Sequence, residues 1–140
     1  MQALSVHFEA AVFVRVPRAK AYEAYTDFES MPKWSRDKRE VKASREGNTV
    51  HLKRASGEES RALSLFPPER VESAGETRIT RIRSVVTFDE APEGTRVTAS
   101  MDVQLKGRWS WIFKTRGRSE AESSAMEELN SFARYVEGLQ

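Results

Sequence analysis

Apolar residues recur at every second position from residue 4 to residue 16, and this pattern constrains the fold more than any other feature of the 140-residue chain. A period of two is the repeat of a β-strand that buries one face. His7 falls on the opposite, polar face, and Pro17 follows at a position that suits the first turn of a helix. The chain therefore opens with a long strand whose apolar face must be covered. That face is formed by Leu4, Val6, Phe8, Ala10, Val12, Val14 and Val16.

The C-terminal segment has the periodicity of a helix. Ser119 and Glu122 have the spacing of a capping box, in which the two side chains bond free backbone N–H groups at the start of a helix. Apolar residues then recur at i, i+3 and i+4, which predicts a long amphipathic helix of about 20 residues. The stripe consists of Ala121, Ala125, Met126, Leu129, Phe132, Ala133 and Val136.

The region between these two elements is predicted to be mostly β-structure. Two short helices are expected directly after the first strand, and the second of them ends near Trp34. From about residue 39 onward, short β-type runs alternate with turn signals. The turn signals lie at residues 46–48, 56–58, 67–69, 74–76 and 92–94.

Pairing of the last two strands decides which of their residues face inward. We expect Phe88 to lie opposite Thr95 and Ser84 to lie opposite Ala99, so that the even-numbered residues of the first strand share the buried face. A slip by one residue would bury Arg81 without a partner, at a cost of several kcal/mol. The same reasoning for the earlier hairpin turns His51 outward. It turns inward Val50, Leu52, Leu63 and Leu65.

These elements predict an α+β architecture in one domain, with the apolar face of a sheet covered by the last helix. Many inward positions carry small or polar residues, among them Ala10, Ser84, Ala99 and Ala125. A lining with so little bulk favours a cavity between a curved sheet and the helix. The alternative is that the small residues simply let the core close.

The segment VFVRVPRAKAYEAYTDFESMPKWS, residues 12–35, resembles the N-terminal signature of the START-like (SRPBCC) helix-grip superfamily, of the polyketide cyclase/dehydrase and lipid-transport type. The matching residues are Asp27, Phe28, Glu29, Pro32 and Trp34. The resemblance implies one domain over residues 1–140, with a curved antiparallel sheet of about seven strands around a long C-terminal helix and two short helices after the first strand. It also implies a hydrophobic ligand cavity. Members of the superfamily include cyclases, quinone-binding proteins, lipid carriers and hormone receptors.

Composition excludes several classes of function. The chain has no cysteine, which removes disulfides and thiolate nucleophiles. The first residues, MQALSVHFEA, lack the features of a signal peptide, and no apolar run is long enough to span a membrane. We therefore expect a cytoplasmic protein. Its 23 basic and 21 acidic residues give a net charge of only +2, which argues against nucleic acid as a partner.

The sequence identifies no catalytic residue, no metal site and no cofactor. His7 and His51 both fall on polar strand faces, and no cluster of metal ligands or glycine-rich phosphate loop is visible. Two hypotheses remain open. The first is a protein that binds a lipid, a quinone or a polyketide-like molecule. The second is a cyclase/dehydrase-type enzyme that uses the same cavity, with Tyr25, Ser84 or Asn130 assisting proton transfer.

The predicted ligand-binding residues combine inward strand positions, the aromatic residues of the short helices and the apolar stripe of the last helix. Arg54, Arg61 and Arg78 also fall on inward faces near strand ends, where we expect rim positions with the charge in water; the alternative is that one of them meets an anionic head group. The ligand-binding set is Tyr25, Trp34, Leu52, Leu65, Ser84, Ala99, Met101, Trp109, Phe113, Met126, Leu129 and Asn130.

Residues 106–118, KGRWSWIFKTRGR, join the last strand to the last helix. Trp109, Ile112 and Phe113 share one face at helical spacing, and Gly107 and Gly117 flank them, which predicts a lid over the cavity mouth. Three alternatives stay open: a plug for the end of the core, a transient membrane contact, and a docking site for a protein partner. The sequence identifies no particular protein partner.

Overall fold

The computed structural model describes residues 4–34, 42–54, 57–76, 80–105 and 117–138. An α+β fold with a long C-terminal helix is confirmed. Its elements in chain order are β1 (Leu4–Val14), α1 (Arg18–Thr26), a 3-10 helix (Phe28–Lys33), β2 (Lys42–Glu46), β3 (Thr49–Arg54), β4 (Gly57–Phe66), β5 (Arg70–Glu76), β6 (Thr80–Ala91), β7 (Gly94–Leu105) and α2 (Gly117–Gly138).

The strands within the described residues form one curved antiparallel sheet of seven strands, in the order β1-β7-β6-β5-β4-β3-β2. The first strand returns to pair with the last along its whole length, from Leu4 opposite Leu105 to Val14 opposite Thr95. Helix α2 lies against β1 and also contacts α1. This arrangement confirms the helix-grip prediction, in which the sheet curves around the terminal helix.

The β6–β7 hairpin corrects the predicted register. The loop contains only two residues, so Ala91 pairs with Gly94, and Phe88 lies opposite Val97 instead of Thr95. Glu93 in this loop adopts a left-handed backbone conformation, with φ of 66°. A Cβ at Gly94 would collide with the carbonyl oxygen of Val14 on the neighbouring strand, so this position requires glycine. The turn signal at residues 92–94 predicts a wider turn that includes this glycine, and that prediction is wrong.

The error of two residues leaves the inward face unchanged, because the side chains of a strand alternate with a period of two. Ser84 is buried as expected, although it lies opposite Met101 instead of Ala99. Arg81 stays on the outer face, where its Nε donates a hydrogen bond of 2.6 Å to Oε1 of Glu76 on β5. An even error in register is therefore harmless for predicting faces, whereas an odd error would have inverted them.

Both histidines lie on the outer face, as their strand positions predict. The Nδ1 atom of His7 is 2.8 Å from Oδ1 of Asp102 on β7. The Nδ1 atom of His51 is 2.9 Å from Oγ of Ser60 on β4. Both imidazoles are about half exposed, which removes them from the space between the sheet and α2.

The short helices after β1 close one end of that space. Pro17 precedes α1, and its carbonyl oxygen accepts hydrogen bonds from the N–H groups of Lys20 and Ala21. The second predicted helix is a 3-10 helix that leads to the buried Trp34. A buried hydrogen bond of 2.8 Å, from Oγ1 of Thr95 to the carbonyl oxygen of Val16, ties the start of β7 to the segment before α1.

None of the described helices combines the length and the apolar character required to cross a lipid bilayer.

Candidate functional site

A cavity of about 310 Å³ lies between the inner face of the sheet and α2. This volume is at the lower end of the range of about 300–1,000 Å³ that is usual for small-molecule pockets. Most of the wall is apolar, and its polar groups come from a few positions on different elements. The lining residues are Phe8, Tyr25, Trp34, Arg61, Ser84, Val86, Ala99, Met101, Ser124, Ala125, Glu128 and Leu129.

Aromatic packing fixes the wall where α1 and the 3-10 helix approach α2. The ring of Tyr25 lies 5.5 Å from that of Phe132 and 5.7 Å from that of Phe88, both in edge-to-face geometry. Trp34 is 5.2 Å from Phe132 in the same type of contact. Such pairs favour one arrangement of the rings, so Tyr25 and Trp34 form a firm wall. The Nε1 atom of Trp34 is buried and has no hydrogen-bond partner among the described residues.

Tyr25 is an ionisable group that borders the cavity. Burial raises the pKa of its hydroxyl above the ordinary tyrosine value. The positive charge of Arg61 partly offsets that rise in pKa, and the negative charge of Glu128 adds to it. The hydroxyl is therefore protonated at neutral pH, where it is available to donate a hydrogen bond and unsuited to act as a base.

Arg61 reaches the cavity from β4 because its position has inward parity. It lies opposite Val50 of β3 and Gly75 of β5 in the sheet. A Cβ at Gly75 would come within 2.8 Å of the Arg61 Cγ, so the missing side chain at this position leaves room for the arginine stem. The local sequence of β5 thus accommodates a long cationic side chain on the inner face of the sheet.

A second, smaller cavity of about 20 Å³ adjoins the first and shares Tyr25, Arg61 and Ser84 with it. Oγ of Ser84 lies 2.7 Å from Oγ of Ser73, so that the two hydroxyls satisfy each other. The remaining wall of the smaller cavity is formed by Ser73 and by the apolar residues Phe28, Val50, Leu52, Leu63 and Val71. Tyr25, Arg61 and Ser84 therefore stand between the main cavity and an apolar space beneath β3, β4 and β5.

The structure brings about half of the predicted ligand-binding residues together around the main cavity. Leu52 lines the smaller cavity instead, and Leu65 and Met126 pack against the core. Asn130 is exposed. Those that line the main cavity are Tyr25, Trp34, Ser84, Ala99, Met101 and Leu129.

Several predicted features lie outside the described residues. They include Trp109 and Phe113, Arg78, the side chain of Arg54, and residues 106–116 of the segment 106–118 for which a lid or a membrane contact is predicted. Within the described residues, no group of three or more His, Asp or Glu side chains is placed to hold a metal ion.

Sequence reasoning missed Glu128 as a lining residue. The register of the strands predicts no inward acidic residue, whereas Glu128 belongs to α2. It follows Ala125 by three residues and precedes Phe132 by four, which places it on the border of the apolar stripe. That spacing was the available signal, but a glutamate at such a border usually lies in solvent.

The curved sheet, the terminal helix and the space between them define a START-like protein. Residues 5–137 match the family described as polyketide cyclase / dehydrase and lipid transport, and the chain belongs to that family. A comparison with curated proteins found no match.

Solved structures with the same fold share little sequence with this chain. Mll3558 from Rhizobium loti aligns with a TM-score of 0.77 and 12% identity, over 96% of this chain and 99% of that one. A START superfamily protein from Mycobacterium smegmatis aligns with a TM-score of 0.64 and 16% identity, over 94% of each chain. The di-domain ARO/CYC StfQ from the steffimycin biosynthetic pathway aligns with a TM-score of 0.72 and 15% identity, over 96% of this chain and 51% of StfQ. This chain thus spans about half the length of StfQ.

Proposed function

We propose that this protein binds a small hydrophobic molecule, such as a lipid, a quinone or a polyketide-like compound, in the cavity between the sheet and α2. The observation that carries the proposal is the 310 Å³ space with its mainly apolar wall. An apolar guest would gain free energy by leaving water, at about 25 cal/mol per Å² of apolar surface buried. Membership of a family whose description includes lipid transport supports the same class of ligand.

The firmness of part of the wall supports binding without a large rearrangement. Tyr25 and Trp34 are held by their contacts with Phe132, which is itself fully buried. A site that is already formed loses less conformational entropy when its ligand enters. The mixture of an apolar wall with a few polar groups is also typical of small-molecule sites.

The test is titration of the purified protein with 1-anilinonaphthalene-8-sulfonate, together with native mass spectrometry of the untreated sample. We expect saturable binding of one dye molecule per chain, and a stabilisation of about 2.7 kcal/mol when free dye reaches one hundred times its Kd. Solvent extraction of the native sample would release any molecule that co-purifies. Absence of both a co-purifying molecule and saturable binding would reject the proposal.

A matched pair of variants on α2 locates the binding. Ala125→Trp adds a large ring to the cavity wall, whereas Asn130→Trp adds the same ring at an exposed position five residues later. We expect at least tenfold weaker dye binding for the first variant and unchanged binding for the second. Equal binding by the two variants would place the dye elsewhere on the protein.

A second candidate is an enzyme of the cyclase/dehydrase type, and the specific observation in its favour is that Tyr25, Arg61 and Glu128 border the same cavity. A protonated tyrosine beside an arginine is able to polarise a ketone, and a glutamate is able to accept a proton. StfQ, which has the same fold, is an ARO/CYC protein by its description.

The enzymatic candidate is tested with heptane-2,6-dione. Its intramolecular aldol reaction forms a carbon–carbon bond between C1 and C6 and loses water to give 3-methylcyclohex-2-enone. An enzyme would accelerate this reaction, and Tyr25→Phe would reduce the acceleration by ten- to a thousandfold. A rate equal to the uncatalysed background would reject this candidate and leave the binding proposal intact.

A further inference from the structure

The two edges of the seven-stranded sheet differ in how well they are protected against pairing with another strand. Strand β2 forms one edge, has only five residues and carries Lys42, Arg45 and Glu46. Short length and charged side chains are the usual devices that prevent an edge strand from pairing. Strand β1 forms the other edge with 11 residues, none of which is lysine, arginine or proline. Its pairing with β7 is continuous, so no bulge twists this edge away.

The backbone groups on the free side of β1 belong to its odd-numbered residues. The carbonyl oxygen of Val14 lies against Gly94 of β7, which places the even-numbered groups on the β7 side, because successive residues of a strand alternate in direction. The N–H of Arg15 accordingly points away from β7 and donates a hydrogen bond of 2.9 Å to Oε2 of Glu137 on α2. Within the described part of the chain, the other groups on this side have no hydrogen-bond partner, and they belong to His7, Glu9, Ala11 and Phe13.

Apolar side chains flank the free edge on both faces of the sheet. Phe13 lies on the outer face with one side of its ring against Gly94, and it is nevertheless 42% exposed. Ala11 lies beside it on the same face, and Val12 is only partly buried on the inner face. Pairing of this edge would therefore bury apolar surface in addition to forming backbone hydrogen bonds.

We propose that β1 pairs with β1 of a second copy of this chain, in antiparallel orientation, so that the two sheets join into one. A twofold axis at Val12 places this residue opposite itself on the inner face. The same axis places Ala11 opposite Phe13 of the second copy on the outer face, and each of these two symmetric pairs exchanges two backbone hydrogen bonds. The inference is independent of what the cavity binds.

Self-complementarity is the reason why a second copy is the partner that fits this edge. With the axis at Val12, Glu9 faces Arg15 of the second copy, so opposite charges meet at both ends of the paired segment. An axis at Glu9 would set two carboxylates directly opposite each other, which is destabilising. Because the N–H of Arg15 is already bonded to α2, the ladder ends at this residue. The paired segment is short, and the dimer is therefore weak and dependent on concentration.

Sedimentation velocity tests for the dimer over protein concentrations from about 1 μM to about 1 mM, the range of Kd that corresponds to a weak interface. We expect a monomer at the lowest concentration and a dimer at the highest. A monomer over the whole range would overturn the proposal.

A matched pair of variants locates the interface, because the described residues include two large exposed hydrophobic side chains, Phe13 and Phe66. Phe13→Lys places a cation beside the free edge and should raise the dimer Kd at least tenfold. Phe66→Lys makes the same change on β4, four strands away in the sheet, and should leave the Kd unchanged. Equal effects of the two variants, or no effect of Phe13→Lys, would place the interface elsewhere and overturn the proposal.

Ala11→Pro tests the backbone hydrogen bonds directly. Its missing N–H is one that β7 does not use, and proline is tolerated on an edge strand where the N–H faces solvent. We expect circular dichroism like that of wild type and a dimer Kd at least tenfold higher, since one hydrogen bond is lost from each symmetric pair. A folded variant that dimerises as wild type does would contradict the proposed pairing.

Amide hydrogen exchange of the wild-type protein gives a readout that needs no substitution. The N–H groups of Ala11 and Phe13 should exchange at least tenfold more slowly at the highest concentration than at the lowest. Those of Val12 and Val14 are bonded to β7 and should be protected at both concentrations. If exchange at Ala11 and Phe13 does not depend on concentration, the edge of β1 stays open and the proposal fails.

Discussion

The two ends of the layer between the sheet and α2 differ in packing although the same elements build both. At one end the side chains are fully buried, with Phe132 at 0% and Phe88 at 1% exposure. The other end contains the 310 Å³ cavity. Three elements have a larger residue at the packed end and a smaller one at the open end: Phe88 and Ser84 on β6, Val97 and Ala99 on β7, and Phe132 and Ala125 on α2.

This comparison teaches that side-chain volume, and not a change of backbone, decides where the interior opens. Strands β6 and β7 stay paired without interruption from the packed end to the open end. Protein interiors are otherwise packed as densely as organic crystals, so a space of this size is an exception that has to be encoded. Here small residues at inward positions of three elements encode it, namely Ser84, Ala99 and Ala125.

The largest expected effect comes from opening the packed end. Phe132→Ala should lower the free energy of unfolding by about 3–5 kcal/mol, because the ring contacts Tyr25 and Trp34 and the surrounding core cannot collapse around the void. Phe8→Ala is the matched change in the cavity wall. It should cost clearly less, because part of the Phe8 ring already faces empty space and has fewer contacts to lose.

Urea denaturation followed by circular dichroism measures both values. Equal losses for the two variants would contradict the comparison, since they would mean that the Phe8 ring is packed as tightly as the Phe132 ring. A larger m-value in only one variant would indicate a change in its denatured state, and that variant would then require a second measurement by thermal unfolding.

A smaller loss of stability is expected when side-chain volume is added to the packed core instead of removed from it. Ala21→Leu inserts a larger side chain at a fully buried position of α1, and overpacking should lower the free energy of unfolding by about 1–3 kcal/mol. Ala99→Leu adds the same volume to the cavity wall, where there is room for it. It should leave the stability within about 0.5 kcal/mol of wild type, or increase it, and weaken binding of the anilinonaphthalene dye.

Thermal unfolding and dye titration distinguish the two variants. The expected pattern is that Ala21→Leu loses stability and keeps its dye affinity, whereas Ala99→Leu keeps its stability and loses affinity. The reverse pattern would mean that the space beside Ala99 is not available to a ligand.

The periodicity of the strands was sufficient to predict the faces of the sheet. Val50, Leu52, Leu63 and Ser84 are buried as predicted, because one side of an antiparallel sheet must be covered and alternation leaves few choices. The register of β6 and β7 was less certain, since several even shifts preserve the same faces. It is set by the two-residue loop that pairs Ala91 with Gly94, and the turn signal at residues 92–94 does not give that loop length.

The apolar half of the cavity wall was more predictable than the polar half. Small residues such as Ala99 reveal missing volume directly, and Trp34 belongs to the motif that resembles the superfamily. The sequence predicts a rim position for Arg61 and singles out no role for Glu128, because charged residues are rarely buried. Whether such a side chain turns inward depends on its neighbours in space, and for Arg61 that neighbour is Gly75. The period of a strand or helix does not show which residues of other elements lie nearby.

The smallest effect concerns the two tyrosines of α1, which are related to the cavity in different ways. Burial raises the pKa of both hydroxyls, and Arg45 lowers that of Tyr22 in part. A phenol is neutral when protonated, so a raised pKa in the folded state means that the unfolded chain releases the proton first. Stability is therefore fully retained below the ordinary tyrosine pKa of about 10 and falls as the pH rises through the folded pKa, by at most about 1.4 kcal/mol per pH unit for each group.

Tyr22→Phe and Tyr25→Phe should each reduce the loss of stability at alkaline pH, which urea denaturation between pH 9 and pH 11 measures. Neither substitution should change the pH dependence of stability near pH 7.

A ligand in the cavity should affect the two tyrosines differently. Tetralin would displace water beside Tyr25, which lines the cavity, and should raise its pKa further in a spectrophotometric titration of Tyr22→Phe. The same ligand should leave the titration of Tyr25→Phe unchanged, because Tyr22 packs against Phe88 and does not line the cavity. A ligand-induced shift in the second variant instead of the first would mean that the open region lies on the other side of α1.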